Sequence, residues 1–370
     1  MDAMGIIFSN VYDSSMGALT EHRTSAAIPF GARYRQIDFA LSNMANAMIR
    51  HIGIITKYNY ESLMFHLGSC EEWDLRLENT GVVILPPFAT GYNGVYRGKM
   101  EALYTAMSLL EQATQEYVVL SGTTVLAAVD FRKALEEHIR SGCDVTVVAS
   151  DTCNGDREQA LAIRTDRDGS PAEIAVHYDA PKDWLASTGM FIISREKLLR
   201  ALNDTVPRGK YRLERDFILE GFNNGSLSVN VYLHPGVALY VENMQEFYEG
   251  NLSLLDGKIR RGLFHTEVPI YTKPRNEAPA YYGKDSVTTD CLIADGCTML
   301  GSCSRSVIFR GVTVEKDAVI SDSIVMQDSV IAEGAELKYV ILDKDVRVAP
   351  GTKLVGSPQN PLYIAKGVSV

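Results

Sequence analysis

The 370-residue sequence lacks the features that would direct it to a membrane or a nucleic acid. No apolar run reaches membrane-spanning length, and the first residues, Met1 to Gly5, lack the basic stretch and apolar core of a secretory signal. The formal net charge is −10 and Lys and Arg are scattered, so nothing would offset repulsion by a polyphosphate backbone. We therefore expect a cytoplasmic protein without a nucleic-acid or membrane partner.

The cysteines form no CxxC pair, and no histidine cluster accompanies them at metal-ligand spacing. They are Cys70, Cys143, Cys153, Cys291, Cys297 and Cys303. The last three are six residues apart, which is unusual for a metal site but typical of a repeat whose small apolar position faces inward. We therefore predict reduced thiols and no metal site.

Low-complexity tracts are absent, and the length exceeds that of one typical hydrophobic core, so two domains are expected. Over the first two-thirds, short apolar runs alternate with helical patterns at 99–114 and 130–141. The runs, which predict buried strands, are 5–8, 52–55, 82–85, 118–120 and 145–148. Continuous apolar strands need cover on both faces, which predicts a doubly wound, Rossmann-like α/β domain with a mostly parallel sheet.

From about residue 285, small apolar residues recur every six positions. One row is Val312, Ala318, Ile324 and Val330; a second is Val314, Ile320 and Met326; after a phase slip the period resumes at Val340, Val346 and Thr352. This period predicts a C-terminal left-handed parallel β-helix of hexapeptide repeats, with the last three cysteines at inward positions. We assign 1–265 to the α/β domain, 266–284 to a proline-containing linker and 285–370 to the β-helix.

Motifs in both domains resemble those of one enzyme family. Residues 28–43, IPFGARYRQIDFALSN, are similar to the signature that follows its first strand. Further matches in family order lie at 52–58, 66–68, 73–75, 96–98, 120–122 and 186–190. The set is far more specific than a lone glycine motif. By these motifs the chain resembles the ADP-glucose pyrophosphorylases, the glucose-1-phosphate adenylyltransferases of bacterial glycogen synthesis, which imply a nucleotidyltransferase domain followed by a β-helix.

Enzymes of this family join a sugar 1-phosphate to the α-phosphate of a nucleoside triphosphate, so they neutralise dense negative charge with backbone amides, cations and Mg²⁺. The resemblance aligns four degenerate positions with residues of that machinery: Ser15 with the arginine of the glycine-rich loop, Ser25 with a lysine, and Thr123 and Tyr240 with the two metal aspartates. The loop at 10–15 has no glycine, and Lys182 is out of register with the family's sugar-phosphate lysine. A hydroxyl is a poor substitute for a carboxylate towards Mg²⁺.

The resemblance therefore implies a D-type regulatory subunit, catalytically impaired, that assembles with and modulates a catalytic subunit making ADP-glucose from ATP and glucose 1-phosphate. The implied assembly is a mixed tetramer. We expect no catalytic residue and no cofactor in this chain, with Mg²⁺ bound only by the catalytic partner.

The resemblance also implies an allosteric anion pocket between the first domain and the β-helix. The matching positions are Arg23, Arg33, Arg35, His51 and His66. A phosphorylated small molecule such as fructose 1,6-bisphosphate, or inorganic phosphate, is the expected ligand. The alternative is that the arginines pair with local carboxylates such as Asp38 while the histidines lie on solvated loops.

Three other functions make different demands on the residues. An active adenylyltransferase with a non-standard site would need a replacement metal ligand, for which Asp130 is the candidate. A purely structural scaffold subunit would bind no effector. A hexapeptide acyltransferase usually needs a histidine base on the solenoid, but every histidine precedes the repeat, which excludes that chemistry.

Overall fold

A computed structural model describes residues 2–10, 15–75, 81–86, 96–152, 160–265 and 267–370. The strands of the α/β part are β1 (Ala3–Phe8), β2 (Pro29–Phe30), β3 (Tyr34–Arg35), β4 (Ile52–Ile55), β5 (Val82–Leu85), β6 (Tyr117–Ser121), β7 (Val125–Ala127), β8 (Val145–Ser150), β9 (Leu161–Thr165), β10 (Pro171–Val176), β11 (Leu185–Ser194), β12 (Val229–Leu233) and β13 (Ala238–Tyr240). The helices are α1 (Gln36–Asn46), α2 (Glu61–Leu67), α3 (Lys99–Thr105), α4 (Met107–Gln112), α5 (Phe131–Ser141), α6 (Arg195–Thr205), α7 (Glu220–Asn223), α8 (Met244–Ser253) and α9 (Gly257–Leu263). A π-helical segment, Leu213–Leu219, precedes α7.

The central sheet has the order β10-β9-β11-β6-β1-β4-β5, and β8 pairs with both β11 and β12. β1 runs parallel to β4 and β6, and β4 parallel to β5. β11 runs antiparallel to β6 and β8, so the sheet is mixed. The predicted α/β fold is confirmed, and each of the five predicted strands is present.

Each face of this sheet packs on its own helices, which is why the strands are apolar throughout. In β1, Ile7 faces the layer that contains α1 and α5, whereas Ile6 faces the layer that contains α3 and α6. Alternate side chains of a strand point to opposite faces, so both isoleucines are fully buried. The predicted helix at 99–114 is divided into α3 and α4. None of the helices in the described ranges combines the length and apolar character needed to cross a membrane.

The C-terminal part is a left-handed β-helix built from three five-stranded parallel sheets. Its strands are β14 (Tyr281–Tyr282), β15 (Val287–Thr289), β16 (Leu292–Ile293), β17 (Thr298–Met299), β18 (Ser302–Ser304), β19 (Val307–Ile308), β20 (Thr313–Val314), β21 (Val319–Ser321), β22 (Ile324–Val325), β23 (Val330–Ile331), β24 (Glu336–Lys338), β25 (Val340–Leu342), β26 (Arg347–Val348), β27 (Lys353–Val355) and β28 (Leu362–Ile364).

The coil length explains the phase slip in the sequence. Val307, Ile324 and Ile341 are successive partners in one sheet, so a coil there takes 17 residues, one fewer than three hexads. As a result Val330 lies at a partly exposed outer position and Ile331 fills the interior. The prediction that Val330 faces inward is therefore wrong, because the missing residue shifts the strand by one and exchanges its faces.

The β-helix packs directly on the α/β part. Phe39 and Phe247 share an apolar cluster with Phe309 and Met326 of the solenoid, and all four are buried. The Tyr248 hydroxyl donates a hydrogen bond of 2.6 Å to the carbonyl of Asp322. The first solenoid strand, β14, pairs with β17 and lies inside the stretch assigned to the linker, because the coil already begins at residue 281.

Candidate functional site

The four positions aligned with catalytic residues converge at the carboxyl ends of the strands. Thr123 follows β6 and its hydroxyl donates to the Phe8 carbonyl at the end of β1, at 3.5 Å. The buried Ser25 hydroxyl donates to the Ser9 carbonyl at 3.0 Å. Tyr240 ends β13 and its phenol donates to the Ser187 carbonyl at 3.3 Å.

Ser15 lies at the same edge, since its hydroxyl donates to the carbonyl of Glu242, two residues beyond β13, at 2.6 Å. Each of the four side chains thus carries a neutral hydroxyl group that donates a hydrogen bond to a backbone carbonyl. The intervening loop residues 11–14 lie outside the described residues. Lys182, the displaced lysine, is exposed in the connection between β10 and β11.

The side-chain oxygens at the aligned positions do not fit a magnesium ion. Mg²⁺ prefers anionic oxygen, and Thr123 and Tyr240 supply a hydroxyl and a phenol at the aligned positions. Asp130, the candidate replacement ligand, caps α5 and accepts hydrogen bonds from Arg132 through both oxygens, at 2.9 and 3.0 Å. The ion pair with Arg132 holds the pKa of Asp130 below its usual range despite partial burial. Its carboxylate is engaged in a surface ion pair, so Asp130 does not serve as a free ligand.

A buried ion pair borders the cleft. The Lys99 ammonium pairs with Glu214 of the π-helical segment, and the two side chains are 3% and 2% exposed. The ammonium also lies 5.8 Å from the ring centre of Phe8 and 5.7 Å from that of Phe191. Because Glu214 neutralises it, Lys99 does not offer an uncompensated charge to a phosphate group.

One small cavity lies in the described part of the cleft. A cavity of about 10 Å³ lies beside Lys99, Gly122, Thr124, Ser187 and Glu242. That volume accepts about one water molecule.

A second set of functional candidates lies where the β-helix meets the α/β part. Arg23 is 3% exposed and pairs with the buried Asp343 of the solenoid, with Nη2 2.8 and 2.9 Å from the two carboxylate oxygens. Asp343 also accepts a hydrogen bond of 2.7 Å from the Tyr363 hydroxyl. The other terminal nitrogen of Arg23, Nη1, is buried and has no hydrogen-bond partner. It is a donor that a bound acceptor would satisfy.

Arg35 lies beside this ion pair and makes no salt bridge within the described part of the chain. Its Nη1 donates to the carbonyl and hydroxyl of Ser62, at 2.7 and 3.1 Å. Burial, together with the positive charges of Arg23 and Arg275, lowers the pKa of Arg35 to about 10, although Asp38 acts in the opposite direction. Arg35 is therefore a buried cation whose hydrogen bonds, among the described residues, go to the neutral Ser62 and not to a carboxylate.

Asp38 is occupied by other groups. It accepts the backbone amide of Arg35 at 2.9 Å, and its other oxygen lies 2.5 Å from His66 Nε2. Burial lowers the pKa of His66, although Asp38 stabilises the protonated ring. The alternative that Arg35 forms an ion pair with Asp38 is therefore not what the structure contains, and His66 is buried rather than on a solvated loop.

The structure adds three cations that the sequence motifs did not single out: Arg275, Arg310 and Lys344. Burial, with the charges of Arg35 and Arg23, lowers the pKa of Lys344 well below its usual range. Arg310 is 5% exposed and pairs with Asp295 at 3.3 Å, while its buried Nη2 has no partner. Arg275 lies 3.5 Å from Asp328. We call Arg23, Arg35, Arg275, Arg310 and Lys344 the junction cluster.

Two predicted effector residues lie apart from the core of this cluster. Arg33 is exposed, although its charge acts on Arg310. His51 precedes β4, at the opposite edge of the sheet, where Nδ1 lies 3.4 Å from Gln115. The structure therefore does not bring His51 together with the junction cluster, and its assignment to the effector site stays a prediction.

Comparisons with known proteins cover nearly the whole chain. A family model described as nucleotidyl transferase matches residues 14–224, and one described as GlmU-like, C-terminal hexapeptide matches 278–360. The chain is 30% identical over 365 residues to the glycogen biosynthesis protein GlgD of Bacillus subtilis (strain 168), covering 99% of this chain and 96% of that protein. It is 29% identical over 343 residues to the glucose-1-phosphate adenylyltransferases of Bacillus mycoides (strain KBAB4) and Bacillus anthracis, covering 92% of this chain and 91% of each relative. With its fold and motifs in agreement, the chain belongs to the glucose-1-phosphate adenylyltransferase family of nucleotidyl transferases.

Proposed function

We propose that this chain acts in glycogen synthesis as a regulatory, catalytically impaired subunit that assembles with a catalytic glucose-1-phosphate adenylyltransferase. The proposal rests on one observation above all: Ser15, Ser25, Thr123 and Tyr240 are neutral donors to backbone carbonyls at the positions where the reaction needs cations and metal carboxylates. The transition state of phosphoryl transfer is stabilised mainly by preorganised positive charge in the active site. Without those charges the cleft lacks the groups that would bind a triphosphate and neutralise its negative charge.

Two neighbouring features support this view. Lys99 is neutralised by Glu214 inside the protein, so its ammonium is not an uncompensated charge at the cleft. A small cavity of about 10 Å³ beside Lys99 and Thr124 has room for about one water molecule, so this part of the cleft does not admit a phosphate group. An active enzyme with a non-standard site would have to displace both the ion pair and the surrounding side chains.

The first experiment measures the chain alone. We expect no Mg²⁺-dependent heat of ATP binding by calorimetry and no pyrophosphate release from ATP and glucose 1-phosphate above background. A catalytic relative from the same organism, assayed in parallel, is the positive control. Turnover by the isolated chain at ordinary enzymatic rates would contradict the proposal.

The second experiment tests assembly. The chain is co-expressed with the catalytic subunit, and the size of the complex is measured by light scattering alongside the activity of each chain alone and together. We expect a mixed tetramer whose activity or effector response differs from that of the catalytic subunit alone. Separate elution of the two chains would overturn the partner assignment, and a mixed complex with unchanged kinetics would favour a scaffold.

The junction cluster is the proposed site of regulation. Within the described residues Arg35 has no carboxylate partner, and Arg23 and Arg310 each have a buried nitrogen without a hydrogen bond. A phosphorylated small molecule would supply acceptors for these donors and neutralise the mutual repulsion of Arg35 and Lys344. Because the cluster joins residues of both units, a ligand there would change how firmly the β-helix is held on the α/β part.

Binding is tested with fructose 1,6-bisphosphate and, separately, inorganic phosphate as probes. We expect Arg35→Gln and Lys344→Met each to weaken binding by about tenfold or more, since each removes a charged hydrogen-bond donor worth roughly 1.5–3 kcal/mol. Arg132→Gln, which removes an exposed arginine paired with Asp130, is the matched control and should leave binding unchanged. Equal affinities for all variants would exclude the cluster as the effector site.

A further inference from the structure

Two thiols meet at the first corner of the β-helix. Cys291 follows β15 and Cys303 lies in the centre of β18, one coil later, where it pairs with Thr288 in the strand register. The two sulfur atoms are 3.5 Å apart. A disulfide requires about 2.05 Å, so the sulfurs must approach by roughly 1.5 Å for the bond to form.

Hydrogen bonds at the corner position the Cys291 sulfur. In the next coils the equivalent residues are Ser306 and Ser323, whose hydroxyls accept hydrogen bonds from the backbone of the following coil: Ser306 from the Ser323 amide at 3.0 Å, and Ser323 from the Val340 amide at 3.1 Å. The sulfur of Cys291 continues this ladder and accepts the backbone amide of Ser306. The ladder therefore positions a sulfur where the other coils position an oxygen.

The two thiols differ in accessibility. Cys291 is half-buried and belongs to the first coil, whose strand β15 forms the edge of its sheet. Cys303 is 2% exposed and packs in the solenoid core. The contact with Cys303 and the hydrogen bond from the Ser306 amide lower the pKa of Cys291, whereas the contact with Cys291 and burial raise the pKa of Cys303. An oxidant from solvent thus meets Cys291 first.

The neighbouring Cys297 serves as an internal contrast. It directly precedes β17 of the second coil and is 1% exposed, but its sulfur lies 3.0 Å from the carbonyl oxygen of Phe309 and burial raises its pKa to about 11. Cys297 is therefore less exposed than Cys291, and the hydrogen bonds of its sulfur within the described residues go to backbone oxygens.

From this geometry we propose that Cys291 and Cys303 are a peroxide-reactive pair that closes reversibly into a disulfide across the first turn of the β-helix. The Cys291 thiolate attacks one oxygen of hydrogen peroxide, breaking the O–O bond and leaving a sulfenic acid, and the hydroxide formed takes up a proton to give water. The Cys303 sulfur then attacks the Cys291 sulfur, and the sulfenic oxygen leaves as a second water. Two thiols are oxidised and one peroxide is reduced; a dithiol reverses the reaction.

The bridge would close a ring of residues 291–303 at the end of the solenoid. Cross-linking a loop of about a dozen residues restricts the unfolded chain, so we expect the oxidised protein to melt at a temperature about 5 °C higher than the reduced protein. Reduction should restore the original melting temperature.

The test uses the full-length chain. It is treated with a slight excess of hydrogen peroxide, the remaining thiols are alkylated, and the digest is analysed by mass spectrometry with and without dithiothreitol. We expect a reducible link between the peptides containing Cys291 and Cys303. In Cys303→Ser, the link should be absent and a dimedone adduct should appear on Cys291; in Cys297→Ser, the link should persist.

The half-buried Cys143 provides a measure of oxidant exposure in the same sample. Modification of Cys143 without a Cys291–Cys303 link in the wild-type protein would overturn the proposal. So would a link that uses Cys297 in place of either residue. Because the central result is read from the wild-type chain, it does not depend on the folding of a variant.

Discussion

At the scale of single residues, a buried ion pair between Arg23 and Asp343 joins the two units. Both side chains are at most 3% exposed, and the Asp343 carboxylate lies 2.8 Å from Nη2 of Arg23. Removing one member of a buried ion pair leaves the other charged and poorly solvated. We expect Arg23→Ala to lower the free energy of unfolding by about 3 kcal/mol, measured by urea denaturation.

Arg50→Ala is the matched control for this prediction. Arg50 pairs with Asp74 at a similar distance of 2.9 Å, but their side chains are 42% and 79% exposed. Exposed pairs contribute about 0–1 kcal/mol, so the control should change stability little. Similar losses in the two variants would mean that burial does not set the value of the Arg23–Asp343 contact.

Three buried histidines predict a loss of stability in mild acid. Burial lowers the pKa of His66, His138 and His234 in the folded chain. In the unfolded chain these histidines are protonated with a pKa near 6.5. Between pH 6.5 and their lower pKa values in the folded chain, the unfolded chain therefore binds more protons than the folded chain. Stability is therefore full above about pH 6.5 and falls as the pH decreases below it.

This pH dependence can be assigned by substitution. His138→Gln should reduce the fall in unfolding free energy between about pH 7 and pH 5, because the glutamine does not titrate. The exposed His177, substituted in the same way, should leave the slope unchanged. A slope that is equal in wild type and His138→Gln would show that this histidine does not contribute.

The residue scale also shows which parts of the junction cluster were accessible to sequence reasoning. Arg23, Arg35 and His66 were identified because they stand in or near the recognised motif of the first domain. Arg310 and Lys344 were missed because they face the cluster only through the docking of the β-helix, which no local pattern encodes. The signal that existed was a basic residue directly after an inward-facing apolar run, as in Phe309-Arg310.

At the scale of elements, the corner serines of the solenoid make a specific contribution to stability. Ser323 is fully buried, its hydroxyl accepts the Val340 amide at 3.1 Å, and it donates to the Ser321 carbonyl at 2.7 Å. In Ser323→Ala the Val340 amide loses its acceptor inside the protein. We expect a loss of about 1–3 kcal/mol in the free energy of unfolding.

Ser302→Ala provides the comparison within the same solenoid. Ser302 lies on the partly exposed outer face of β18, where water can replace the hydroxyl. Its substitution should change stability by no more than about 0.5 kcal/mol. A loss as large as that of Ser323→Ala would indicate that the effect comes from strand propensity and not from the corner hydrogen bond.

Elements were predicted well where one period governs them. The five apolar strands, α5 and the solenoid follow directly from the sequence pattern. Errors arose where two constraints compete: the helix at 99–114 is interrupted at Ala106, and the coil of 17 residues moves Val330 to the outer face. In the second case the coil is one residue shorter than three hexads, which shifts the strand by one position and exchanges its faces.

At the scale of the whole molecule, the two units share a core and should unfold together. Phe309 is fully buried in the apolar cluster that also contains Phe39 and Phe247 of the α/β part. The described solenoid is built of strands, so the helical circular dichroism of the protein reports on the α/β part. A substitution in the solenoid that changes the helical melting curve therefore measures the coupling between the units.

Phe309→Ala should lower the free energy of unfolding by about 3–5 kcal/mol, because it opens a cavity in the shared cluster. We expect the helical signal and the tyrosine fluorescence of the whole chain to melt in one transition at a lower temperature. Val319→Ala, on the exposed outer face of the same solenoid, should leave that transition in place. Two separate transitions, with the helical one unchanged, would show that the solenoid unfolds independently; a ligand at the junction cluster could then not act on the α/β part through the β-helix.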